Sequence, residues 1–256
     1  MEEPLNRPDT LREIEKYPGW MYEFDLGDGK KTKTYAKTLQ PVHEVRKSMI
    51  FEFLDGTGYD YAGSSVVDMA CNEGFFLFEM LERGAEYGLG MDIRPDNIEK
   101  ANLLKRHWGL SHCDFEVGDV FEYDFGETAF DVVFLLGILY HVENPVGLMR
   151  LAANCTSRYL FVETQLCVSG DPIPYGWGSP DAHRDGTEYC VLHQEKDWES
   201  NPLASVGGFS FIPNLAAVVA MLGAAGFSSI AQLHPNRRVR EPQYDNVDRV
   251  VLVGIR

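Results

Sequence analysis

The chain has 256 residues, 45% of them hydrophobic, with 39 acidic against 23 basic side chains and a formal net charge of −16. That is enough apolar material for one α/β domain with additions, and a surface so acidic argues against phosphate backbones as partners. The five cysteines lack CxxC spacing, the opening Met1-Glu2-Glu3-Pro4 has no basic region leading into an apolar core, and no stretch is long enough to span a membrane; a reducing, cytoplasmic setting with no disulfide framework, zinc site or membrane anchor is expected.

Residues up to about Thr38 are polar, turn-rich and aromatic. Alternation of Tyr22, Phe24 and Leu26 with Met21, Glu23 and Asp25 predicts a strand, and Gly27-Asp28-Gly29 predicts a hairpin turn. Trp20 and Tyr22 are candidates for a substrate wall or for cover on the edge of the core. From Pro41 to Leu54 the spacing of Val42, Val45, Met49, Ile50 and Phe53 is helical. His43, Glu44 and Arg46 on that helix face either a substrate or solvent.

The stretch Val66-Val67-Asp68-Met69-Ala70-Cys71-Asn72-Glu73-Gly74, followed by Phe75-Phe76-Leu77-Phe78, reads as strand, tight turn and helix, with the helix over Glu73 to Arg83. In a parallel sheet such a turn lies at the carboxyl end of a strand, where a nucleotide-like ligand can approach the backbone. Neither GxGxxG nor GxxxxGK[ST] is present. Tyr87 to Ile93 reads as a second strand ending in Asp92, about 20 residues past the turn, where a carboxylate can accept ribose hydroxyls. Asp96 is read as the cap of a helix through Trp108, Cys113 to Val120 as a third strand with Asp119 at its end, and Asp131 to Leu139 as a central, doubly buried strand. A helix from Pro145 to Asn154 and a strand from Tyr159 to Thr164 follow. Residues 167–208 break the rhythm and are read as a functional loop or lid. A helix from Leu215 to Ala225 and strands over Ser229 to His234 and Arg249 to Ile255 close the chain.

Three acids at three successive strand tips, Asp68, Asp92 and Asp119, together with this order of elements, resemble a class I S-adenosylmethionine (SAM) methyltransferase over about Ser64 to Arg256. Phe130 through His141, Asn144-Pro145, and Phe211-Ile212-Pro213 through Phe227 are similar to the tRNA wobble-uridine carboxymethyltransferase group. The resemblance implies a Rossmann-like, seven-stranded α/β sheet whose last strand is antiparallel, with helices on both faces. Residues 1–60 would form an amino-terminal extension with a lid helix, and 61–256 the methyltransferase domain with its insertion. It implies SAM as cofactor, held by Asp68, Ala70, Cys71, Asn72, Gly74, Asp92, Ile93, Asp119, Val120 and Leu136; Ala70 stands where the family has a glycine. In the tRNA group the tyrosine matching Tyr140 lies beside the transferred group.

Methyl transfer is an in-line displacement that needs an aligned, desolvated acceptor and sometimes a base. Tyr140, His141, His183 and His193 are the catalytic candidates. Asp181, His183, Asp185, Glu188 and His193 follow no recognised metal spacing, so no metal is expected. Trp177 and Tyr175 offer flat faces to an acceptor or pack the loop. The acidic surface favours a small-molecule acceptor attacked through O or N. The alternatives are a tRNA wobble-uridine methyl- or carboxymethyltransferase, a non-catalytic SAM-binding protein and a nicotinamide oxidoreductase; a homo-oligomer is compatible with the sequence.

Overall fold

The computed structural model describes residues 7–167, 188–194, 205, 207–236, 241–245 and 248–256. The chain opens with α1 (Arg7–Lys16), the short strands β1 (Asp25–Gly27) and β2 (Lys30–Lys31), and α2 (Gln40–Gly56). Alternation of β3 (Ser65–Met69), α3 (Phe75–Glu82), β4 (Tyr87–Asp92), α4 (Pro95–Trp108) and β5 (Cys113–Val117) follows. Then come β6 (Phe130–Leu136), α5 (Pro145–Asn154), β7 (Thr156–Gln165), β8 (Cys190–Gln194) and β9 (Phe209–Pro213). The last elements are α6 (Leu215–Ala224), β10 (Ser229–Leu233), α7 (Pro242–Asp245) and β11 (Arg249–Ile255).

Seven strands form one sheet in the order β10-β11-β7-β6-β3-β4-β5. Strands β7, β6, β3, β4 and β5 pair in parallel, and β11 pairs antiparallel with both β7 and β10. This is the expected sheet with its last strand reversed. Successive residues of a strand point to opposite faces, so neighbours enter different cores. Val66 and Val132 pack with α2, α3 and the amino-terminal aromatics, while Val67 and Val133 pack with α5 and α6. All four are fully buried, which is why the central strands read as continuous apolar runs.

Several local expectations change. The polar opening contains α1, whose Ile14 is buried and whose Thr10 hydroxyl lies 2.8 Å from His107 Nδ1 on α4. The strand expected over 21–26 shrinks to β1, although Tyr22, Phe24 and Leu26 are buried and Gly27, Asp28 and Gly29 make the expected turn with positive φ. Helix α3 begins at Phe75 because Gly74, at φ 83°, is the left-handed residue before it. A Cβ on Gly74 would stand 2.6 Å from the Phe115 ring, so glycine is required there on two grounds. Asp96 sits in the first turn of α4 and the N-cap is Arg94, with no side-chain cap bond. Strand β6 stops at Leu136, since Gly137 turns with φ 86° into a 3₁₀ turn over Leu139–His141. The region read as a lid contributes β8, which pairs antiparallel with β9; His183, Asp181, Asp185, Trp177 and Tyr175 lie outside the described residues.

Candidate functional site

The carboxyl ends of the parallel strands open into a cavity of about 860 Å³, whose walls come from the amino-terminal segment, α2, the β3, β4, β5 and β6 turns, β8, α7 and the start of β11. One end is built by the strand tips. Asp92 lines it with both oxygens engaged: Oδ2 accepts from the Asn72 backbone N–H at 2.9 Å, and Oδ1 accepts from Arg94 N at 2.9 Å and the Asn97 amide at 3.2 Å. The carboxylate therefore ties the β3 turn to the β4 tip. Asp119 folds back onto Phe121 N at 2.9 Å, and Ile93 and Phe121 offer exposed apolar faces in the same cavity.

Ala70 and Asn72 occupy the left-handed region, at φ 70° and 52°, in the turn that Gly74 completes. Non-glycine residues there store strain, and such strain clusters at ligand sites. The buried Asn72 Oδ1 has no hydrogen-bond partner among the described residues. Asp68 lies beneath the turn and does not line the cavity; burial, helped by Asp92 and opposed by Arg46, pushes its carboxyl up to about 8. Cys71 and Gly74 are also off the lining, and burial drives the Cys71 thiol far from the thiolate form. Ala70, Ile93, Val120 and Leu136 do line it.

The other end is charged and deeply buried. Glu163 on β7 accepts from Arg249 Nη1 at 2.8 Å and the Tyr244 hydroxyl at 3.2 Å, and Arg46 Nη2 lies 3.3 Å away. Burial alone would raise the Glu163 carboxyl, but the two guanidinium groups hold it below the usual range. The Arg249 fork reaches the Tyr140 hydroxyl at 3.3 Å from both terminal nitrogens, and its Nε donates to Gln243 at 2.6 Å. Tyr140 and His141 stand side by side with ring centroids 4.2 Å apart, and both line the cavity. His43 faces them from α2; burial together with Arg46 and Arg249 depresses it to about 3, so it is neutral and too weak a base for proton abstraction.

Of the candidate histidines, His141 and His193 reach the cavity, His193 from the exposed face of β8. Trp20 is core, at 1% exposure, while Tyr22 lines the cavity. Glu44 points to solvent, whereas His43 and Arg46 point inward. Sequence reasoning missed Glu163, Gln243 and Arg249. An arginine opening a strand directly after Asp248 gives no sign of a buried pair 86 residues away. Among the described residues no cluster of His, Cys, Asp and Glu is arranged to hold a metal ion, and no helix is long and apolar enough to cross a membrane.

Residues 60–175 match the family model of a methyltransferase domain. The chain is 28% identical over 170 residues to a tRNA U34 carboxymethyltransferase of Aliarcobacter butzleri, a match covering 66% of this chain and 48% of the relative. It thus spans about half the length of the curated relatives it matches. Among solved structures, the amino-terminal domain of EvdMO1, crystallised with S-adenosylhomocysteine (SAH) and D-fucose, superposes with a TM-score of 0.72 at 20% identity, over 98% of this chain and 97% of that one. Magnesium protoporphyrin IX methyltransferase of Synechocystis PCC 6803 gives 0.59 at 18% identity, over 99% and 95%. The chain has the Rossmann-like fold of class I methyltransferases, and the segment that matches the methyltransferase-domain model runs through the strands and turns that open into the cavity.

Proposed function

We propose that the protein transfers a methyl group from S-adenosylmethionine to a small-molecule acceptor through O or N. The observation that carries this reading is one cavity with two chemically distinct ends. At one end stand the Asp92 carboxylate, the strained β3 turn and the apolar faces of Ile93 and Phe121; at the other stand Tyr140, His141 and the arginine pair. The first end fits the cofactor: Asp92 would accept its ribose hydroxyls, the unpartnered Asn72 Oδ1 its polar edge, and Ile93, Val120 and Phe121 its base, with Asp119 at the amino group. When bound, SAM supplies an electrophilic methyl. Tyr140 and His141 then orient the acceptor, and His141 takes its proton. A cavity of about 860 Å³ lies within the size range of small-molecule sites and has room for a nucleoside and a modest partner. The match to a methyltransferase domain, and the SAH bound by the structural neighbour, support the cofactor assignment. The net charge of −16 supports an acceptor other than nucleic acid.

One observation favours a second reading, the tRNA carboxymethyl transfer named in the curated relatives. Arg46 and Arg249 set two guanidinium groups against the single Glu163 carboxylate beside Tyr140, and a transferred group bearing a carboxylate would balance that surplus. Calorimetric titration with SAM, SAH and NAD(H), then mass spectrometry of acceptors incubated with plain or carboxylated SAM, separates these readings. Binding of NAD(H) without the adenosyl compounds would overturn both. Tight, salt-sensitive tRNA binding, or turnover with carboxylated SAM alone, would replace the first reading by the second. Tyr140→Phe should lower turnover more than it lowers SAM affinity under either.

A further inference from the structure

Glu73, the one charged residue inside the β3 turn, is fully buried and points away from the cavity toward the amino-terminal segment. Its carboxylate accepts from the backbone N–H of Met21 at 2.9 and 3.0 Å and of Tyr22 at 3.2 Å, and from Lys100 Nζ at 2.8 Å. Lys100 in turn donates to Gly19 O at 2.9 Å and lies 5.2 Å from the Trp20 ring centroid. Residues 19–22 are thus held by Glu73 of the β3 turn together with its partner Lys100. The hold continues through rings: Tyr22 stacks on Phe75, the first residue of α3, at 4.7 Å and 8°, and meets His43 at 4.3 Å. Met21, Tyr22 and His43 line the cavity, and His43 sits one helical turn before Arg46.

The neighbours of Glu73 in the chain make this a lever. Asn72, immediately before it, is held at φ 52° with its amide on Asp92, and Gly74, immediately after, is at φ 83°. A ligand that settles against Asn72 and Asp92 stiffens the backbone from which the Glu73 side chain projects. We propose that Glu73 is a positioning residue that couples the two ends of the cavity: occupation of the turn fixes residues 19–22 and thereby completes the wall against which the acceptor is held. The proposal rests on the cofactor reading above and adds to it a coupling between cofactor and acceptor. Linkage makes the coupling reciprocal, so a filled acceptor end tightens the cofactor end by the same factor.

Hydrogen exchange of the full chain, read by mass spectrometry with SAH as the probe, tests this. In the wild type, saturating SAH should slow exchange in peptides covering residues 19–24 by about tenfold or more, in addition to slowing it at 70–74. In Glu73→Gln, SAH should still bind within about threefold of wild-type affinity, while its effect on 19–24 falls below about twofold. A merely structural glutamate would raise exchange at 19–24 with and without SAH and leave their ratio intact, which would overturn the proposal. So would wild-type protein that binds SAH with no change at 19–24. Where Glu73→Gln alone does not fold because Lys100 is stranded, the paired change Glu73→Gln with Lys100→Met removes both charges and is read in the same way. Failure of the wild type to bind SAH at all would remove the cofactor reading itself, a result visible in calorimetry before any exchange is measured.

Discussion

Asp68→Asn isolates the cost of a carboxyl buried beneath the β3 turn. In the folded protein, burial and the nearby Asp92 push the Asp68 carboxyl from 3.8 up to about 8, against the pull of Arg46. Between those values the native state holds one proton more than the unfolded chain, so stability is greatest below the unfolded value and is lost as pH rises toward 8. Each unit of pH in that window costs about 1.4 kcal/mol, hence about 4 kcal/mol by pH 7. His43 acts in the opposite sense, since a histidine held near 3 makes stability rise with pH up to its ordinary value of 6.5. The window from pH 6.5 to 7.5 therefore reads Asp68 with His43 largely silent. There the wild type should lose about 1 kcal/mol more than Asp68→Asn, allowing for the titration already under way near 8. With a urea m-value of about 3 kcal/mol/M for a chain of this size, the gap between the two unfolding midpoints widens by about 0.4 M. Urea titrations followed by tryptophan fluorescence at the two pH values suffice. Midpoints that move in parallel would show that Asp68 is ionised in the native state and refute the argument.

Three further outcomes follow from the site. On the proposed reading, Asp92→Ala would remove charge-assisted bonds to the ribose and release the Asn72 amide, so SAM affinity measured by calorimetry should fall about 10- to 100-fold; unchanged affinity would detach Asp92 from the cofactor. Glu163→Gln leaves Arg46 and Arg249 buried without their counter-charge and should cost about 3–5 kcal/mol in chemical denaturation, a loss that an intact unfolding midpoint would contradict. Ala70→Gly relieves a left-handed alanine at φ 70° and should raise stability by about 1 kcal/mol, less what the freer unfolded chain takes back; a destabilised variant would mean that the turn stores no strain.

The parts of this molecule that were legible in the sequence are those set by periodicity and by position along the chain. Asp92 could be placed at the cavity because it closes a strand before a turn, whereas Asp68, read in the same way, lies beneath its turn; the central sheet followed from runs such as Val132 to Leu136. What stayed hidden depends on partners far apart in sequence. Glu163 looks like an ordinary acid interrupting a strand until Arg46 and Arg249 converge on it. Glu73 reads as the polar end of a turn until Met21, Tyr22 and Lys100 are found against it. Helix α1 escaped because only a narrow apolar stripe, with Ile14 buried, distinguishes it from polar coil. Ala70 shows an intermediate case: its departure from the family's glycine was visible, but the strain it carries became apparent only with its φ.

The reversed direction of β11 has a practical consequence for handling the protein. Its first residue, Arg249, pairs with Gln165 at the cavity end of β7, and its last partnership, Ile255 with Tyr159, lies at the opposite end. Arg256 therefore leaves the sheet on the side remote from the mouth of the cavity, its amide bonded to Arg158 O at 2.9 Å. A tether, label or fused reporter attached after Arg256 would face away from incoming ligand, which suits this end of the sheet to surface-based binding measurements.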